Sequence, residues 1–246
     1  MYRLGLPLLT LVLFLVFWEV AASSGQNLLV ATFTETAAAF VRITITSGEV
    51  WPALLLSNQA ALLGYAVAVV VAIPIGIAAG RYRRFDRVLN PYWAILLAVP
   101  IAPLMPVAIT ALGLTLAARV LVVFLFCVPY LIVNTRAGVR NVDPSLAEMA
   151  RSYGANESKL WRFVVLPAAA PAIFAGLRIC IQRAISGMVL AEILLVAVGV
   201  GRLLLLYKGR FQSDMLFALV VAIIIEALIL LKAMGWLERR LLPWSA

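Results

Sequence analysis

Residues 62–80, LLGYAVAVVVAIPIGIAAG, run for nineteen positions without a charge. About twenty apolar residues in an α-helix cross the ~30 Å hydrocarbon core of a bilayer. Runs of this kind recur, and they bring composition into the argument. The chain is 65% hydrophobic and 13% charged, against about 45–50% and about 25% in soluble domains. The predicted fold is therefore an all-α integral membrane protein, one domain over 1–246, with six transmembrane helices near 5–22, 60–80, 92–113, 117–134, 172–195 and 215–235. The first run, with Arg3 ahead and AASS behind, has the form of a signal peptide; a retained helix is expected.

The net charge is +9, but the cations do not form one patch, so nucleic acid is not an expected partner. They fall in clusters between the apolar runs, as the positive-inside bias predicts. RYRRFDR (81–87) holds four arginines. The segment 136–162 adds Arg136, Arg140, Arg151, Lys159 and Arg162, and the tail adds Arg239 and Arg240. These connections are assigned to the cytoplasm, with both termini. The sparser Arg42, Arg202, Lys208 and Arg210 then face out, with an outer segment at 23–58. In it SGEVWPALL reads as an interfacial amphipathic helix, with Trp51 at headgroup level. Cys127 and Cys180 lie inside apolar runs without CxxC spacing, which suits buried thiols rather than a disulfide or zinc site.

One polar, helix-patterned insert stands out at 143–167. Asp143 is a capping residue and Pro144 is tolerated at the first helical position. Leu146, Met149, Ala150 and Tyr153 then form one apolar stripe. Gly154 suits a helix stop with φ > 0. Asn156 caps a second short helix, with Leu160, Trp161, Phe163 and Val164 on its apolar side; Pro167 and Pro171 are expected to interrupt it. Patterning alone leaves two uses open: a solvated hairpin, or a knob held by another protein.

The insert resembles the cytoplasmic loop of membrane subunits of bacterial ABC importers. That signature reads EAA, three residues, G, nine residues, I, any residue, LP. Here it is Glu148, Met149, Ala150, then Gly154, Val164 and Leu166-Pro167, without a gap. Met149 and Val164 depart mildly from it. Further pieces are similar to the branch that moves nitrate, sulfonates, taurine, bicarbonate and related small anions. They are residues 62–80, NPYWAILLAVPIAPLMPVAITALGL (90–114), NTRAGVRNVDPSLAEMARSYGA (134–155), VVLPAAAPAIFAGLRI (164–179) and AEILLVAVGVG (191–201). Together they cover about 50–245; Pro103 departs, standing where relatives more often carry a small apolar residue.

The resemblance implies a type I ABC importer permease fold in the bacterial cytoplasmic (inner) membrane. The insert becomes a coupling helix docked on a separate ATPase. Glu148 and Arg151 would make rim contacts, Ala150 would permit close approach, and Gly154 with Ala155 would form the turn. Partners implied are two ATPase subunits, a second permease copy in a homodimer, and an extracytoplasmic substrate-binding protein. The chain has no GxxxxGK[ST] phosphate loop, so ATP and magnesium are expected on the partner and no cofactor here. It has no histidine, HExxH or GxSxG, and an enzyme is not expected.

Candidate path residues follow from backbone and charge. Pro100, Pro103 and Pro106 repeat every three residues in the third span. They should break or strongly bend it, as either a static kink or a pathway wall with freed carbonyls and Met105. In the fifth span Arg183 either pairs with Glu226 or offers charge to a passing anion, beside Ser186. Glu192 has a packing or a gating role. Gly76 and Gly80 form a GxxxG that allows close helix contact.

Overall fold

The computed structural model describes residues 2–23 and 30–245, and within them every regular element is helical. In chain order these are α1 (Tyr2–Ser23), α2 (Phe33–Val41), α3 (Val50–Arg81), α4 (Arg83–Ala98), α5 (Met105–Leu112), α6 (Leu116–Arg140), α7 (Pro144–Ser152), α8 (Glu157–Leu160), α9 (Leu166–Leu194), α10 (Gly199–Gly209) and α11 (Ser213–Leu241). Residues 24–29 of the outer segment, including the Ser24 that ends AASS, and the side chain of Arg3 lie outside the described residues.

Close packing of α3, α6 and α9 makes the centre. One face of α3 carries only small buried residues: Ser57, Ala61, Gly64, Ala68, Ala72 and Gly76. Lipid tails are as apolar as leucine, so helices associate in a bilayer through close packing, and small residues permit it. A Cβ on Gly64 would stand 2.5 Å from Val123 Cβ, one on Gly76 2.6 Å from Thr135 Cβ, and one on Gly80 2.6 Å from Val139 Cβ. Gly76→Ala is therefore expected to destabilise the protein by about 1–3 kcal/mol through overpacking. Gly235→Ala on α11, where a Cβ would meet nothing within 4 Å, should be neutral or better. Thermal unfolding in one detergent compares the two.

The same contacts fix direction. Positions rise together along α3 and α6 (64 with 123, 76 with 135, 80 with 139), so these helices are parallel. Antiparallel pairing brings Gly176 of α9 against Asn134 and Gly187 against Phe126 of α6. Arg178 of α9 meets Glu238 of α11, which places the C-terminal ends of α3, α6 and α11 with the start of α9 at one end of the bundle. Parallel α3 and α6 require the chain between Arg81 and Leu116 to recross.

That crossing starts earlier than the span expected over 92–113, and it is broken, as its prolines predict. α4 and the following Ala102–Leu112 stretch are bent by 95° across the break at Val99–Ile101. Pro100 and Pro103 have no N–H to offer the carbonyls of Leu96 and Val99, and the chain re-forms as a 3₁₀ turn, Ala102–Leu104, before α5. Four helices are long and apolar enough to cross a membrane: Val50–Arg81, Leu116–Arg140, Glu157–Leu194 and Ser213–Leu241; the broken pair makes a fifth crossing. In α1 the apolar stretch Leu8–Ser23 is shorter. It leans on the bundle through Trp18, whose ring lies 6.0 Å from that of Phe217 and whose Nε1 donates to the Ala31 carbonyl.

Two other expectations change. SGEVWPALL is not a separate interfacial helix. After a turn at Gly48 (φ +64°) α3 begins at Val50, and Pro52 sits in its first turn, where no hydrogen bond is lost. Pro167 and Pro171 do not interrupt the chain either, since helix is continuous over Glu157–Leu194. A π-helical turn, Trp161–Val165, widens the backbone just before Pro167. Pro171 is held between Ala169 and Gly176, both packed on α6.

Candidate functional site

The insert is assembled by local capping. Asp143 Oδ1 accepts the Ser145 N–H at 2.9 Å, with Pro144 opening α7. That bond holds the Asp143 carboxyl below the ordinary aspartate range, so the cap is present at neutral pH and weakens as pH falls through the lowered value. At the far end Gly154 has φ +78°. Its N–H donates to the Arg151 carbonyl at 2.9 Å, and the Ala155 N–H reaches back to Ala150 at 3.0 Å. This paired closure is a Schellman motif, which needs the left-handed residue at that position. Asn156 Oδ1 then accepts the Lys159 N–H at 2.9 Å and starts α8.

α7 has two unlike faces. Ala147 and Ala150 settle on a small cluster around Val139, Leu160, Val165 and Ala169. The remaining members of the stripe face away: Met149 is 52% exposed and Tyr153 88%. Glu148 and Arg151 are exposed as well. Arg151 pairs with Glu157 at 3.1 Å, Glu157 lies 3.6 Å from Arg81 at the end of α3, and the Arg81 guanidinium stands 4.8 Å over the Trp161 ring. Exposed pairs of this kind add little stability, but they tie the insert to α3. Beside them Asp86, buried, holds Arg136 and Arg140 at 2.5 and 2.9 Å, joining α4 to the end of α6.

At the opposite end lies a cluster the sequence reading missed. Glu192, fully buried, accepts from Ser57 Oγ at 2.7 Å, from Arg119 at 3.2 Å and from the Gly201 N–H at 3.1 Å. Ser57 Oγ in turn accepts the Val200 N–H at 2.9 Å. One carboxylate thus gathers the starts of α3, α6 and α10 and the end of α9. Gly199 and Gly201 allow the approach: a Cβ on Gly199 would fall 2.1 Å from Ser57 Oγ, and one on Gly201 2.4 Å from Glu192 Cβ. The one available signal was an uncompensated arginine, Arg119, in an apolar run, which implies a buried acid elsewhere.

The path candidates are scattered. Pro100, Pro103 and Pro106 lie exposed around the break, whereas Met105 is buried against Ala118, Val122, Ala191 and Leu195. Ser186 is exposed on α9, and its hydroxyl donates to the Gln182 carbonyl at 3.0 Å. Arg183 does not pair with Glu226. Its guanidinium lies 4.2 Å over the Tyr130 ring, and Glu226 instead accepts from Asn58. The cysteines are free and buried, each Sγ donating to the other's carbonyl at 3.3–3.4 Å. No group of His, Cys, Asp and Glu suited to a metal ion occurs among the described residues.

Residues 72–243 match the family described as binding-protein-dependent transport system inner membrane component. The chain is 32% identical to the riboflavin transport system permease of Chloroflexus aurantiacus, over 99% of this chain and 91% of that one. It is 30% identical to the bicarbonate transport system permease of Synechococcus elongatus (96% and 89%), and 31% to a putative aliphatic sulfonates transport permease of Escherichia coli (86% and 80%). The fold is similar to a chain of the inward-facing MetNI methionine ABC transporter, with a TM-score of 0.60 at 16% identity over 80% of this chain and 94% of that one. A component of such a system works with an ATPase and a substrate-binding protein; it transports and does not catalyse. This chain therefore belongs to the binding-protein-dependent inner-membrane component family and is a multi-pass ABC transporter permease subunit.

Proposed function

We propose that two copies of this chain enclose a path for a small anion, with α7 of each copy docked in one of two ATPase subunits. ATP and magnesium then belong to the ATPases. The observation that carries this reading is the unlike pair of faces on α7: Ala147 and Ala150 seat it on its own bundle, and Leu146, Met149 and Tyr153 are left exposed. Glu148 and Arg151 flank them at the rim. The insert and both termini face the cytoplasm, where the arginine-rich ends of α3, α6 and α11 collect. Within the path we place Arg183, Ser186 and the wall formed by Pro100, Pro103 and Pro106. Met105 and Glu192 support it from behind, as packing.

The docking reading is tested on exposed positions, where folding is not at risk. Met149→Glu with Leu146→Glu should lower copurification of the ATPase by about tenfold or more, since two acids must be desolvated in an apolar groove. Undiminished capture would reject the docking face. Bicarbonate and sulfonate systems among the relatives favour an anion; the riboflavin system favours a planar heteroaromatic solute. Arg183→Gln separates the two. It should abolish uptake of an anion delivered by the cognate binding protein while the complex still assembles. Wild-type anion uptake would remove Arg183 from the path, and mass spectrometry of the binding protein's ligand decides the solute.

A further inference from the structure

A second cationic site lies on the flank of the bundle, in an open groove between α9 and α11. Arg178 and Gln182 project from α9; Lys232 and Arg239 project from α11; Leu228 and Leu231 make its apolar floor. Arg178 is neutralised by Glu238 at 3.2 Å. Lys232 and Arg239 are exposed and have no ion-pair partner among the described residues. The groove sits toward the end of the bundle where α3 and α6 finish and the insert emerges. Trp236, between the two cations on α11, and Trp244, in the turn just after it, are exposed, at 55% and 61%, as indole rings are at the level of lipid headgroups. Toward the bundle's middle the exposed surface of α11 turns apolar, through Ile224, Ile225, Leu228 and Ile229.

We infer that this groove binds the phosphate headgroup of an anionic phospholipid, in the leaflet on the insert side. Two uncompensated cations and a primary amide offer donors to a phosphate. The continuous apolar strip accommodates the acyl chains, which a free oxyanion would leave unused. Basic pockets between membrane helices take anionic headgroups on this physical basis. The groove borders the path through Gln182, whose carbonyl accepts from Ser186, but Lys232 and Arg239 are neither path nor coupling residues, so the double variant leaves both in place.

The test uses the permease purified with its ATPase in micelles holding equimolar phosphatidylglycerol and phosphatidylcholine. Retained lipids are counted by native mass spectrometry. Wild type should keep phosphatidylglycerol in preference to phosphatidylcholine by about tenfold, and Lys232→Gln with Arg239→Gln should remove that preference. Equal retention of the two lipids by wild type, or an unchanged preference in the double variant, overturns the proposal. Displacement of the lipid by millimolar inorganic phosphate would overturn it in favour of a free oxyanion site. Circular dichroism of the double variant confirms that the comparison is between folded proteins.

Discussion

Replacing Glu192 with alanine should cost about 3–5 kcal/mol of stability, the range for breaking a buried ion pair from one side. The size follows from what is left behind. Arg119, whose side chain is 8% exposed, keeps its charge and loses its only ion-pair partner among the described residues. Ser57 Oγ and the Gly201 N–H lose their acceptor in the same step, and each unsatisfied buried donor costs about 1–3 kcal/mol. Glu192→Gln should cost less, because it keeps the shape and one acceptor oxygen. Arg119→Met combined with Glu192→Leu should recover most of the ion-pair share, since an apolar pair avoids burying two charges. Denaturant or thermal unfolding of the purified variants in one detergent gives the ordering. Equal stability of Glu192→Ala and wild type would mean the cluster does not hold the starts of α3, α6 and α10 to the end of α9.

What was legible in the sequence and what was not divides by distance along the chain. The caps of the insert were readable because each acts within five residues: Asp143 on Ser145, Gly154 and Ala155 on Arg151 and Ala150, Asn156 on Lys159. Apolar runs placed the long helices for the same reason, and the Gly76–Gly80 spacing marked a real contact with α6. The cluster at Glu192 was not readable. Its partners lie 135 and 73 residues away, and in its own window each is an isolated polar residue with no periodic signal. The sequence likewise left Arg183 either paired with Glu226 or offered to an anion; packing gave Glu226 to Asn58 and an aromatic ring to Arg183. Prolines misled only in α9, where a π-turn and packed neighbours absorb them; around Val99 the chain turns through 95°, the break that their spacing predicts.

Gly154→Val should uncouple transport from ATP hydrolysis while leaving the bundle folded. The cause is conformational rather than steric. A Cβ at Gly154 would meet nothing within 4 Å, so there is room for a side chain. Its φ of +78° is the obstacle. A left-handed residue costs about 1–2 kcal/mol with an ordinary side chain, and a β-branched one is a genuine outlier there. Relief of that strain would open the Gly154 and Ala155 N–H closure and release α7 from its seat. A penalty of about 1–2 kcal/mol lowers the seated-to-released ratio of the insert by roughly 5- to 30-fold, and uptake should fall with the seated fraction. Asparagine tolerates φ > 0, so Gly154→Asn should keep most activity, with alanine between them. This ordering separates strain from bulk: if side-chain volume mattered instead, asparagine would be worse than alanine. Substrate uptake into proteoliposomes, measured beside ATPase rate, reads the coupling directly. Full uptake by Gly154→Val at an unchanged ATPase rate would show that the closure at Gly154 is not what presents α7.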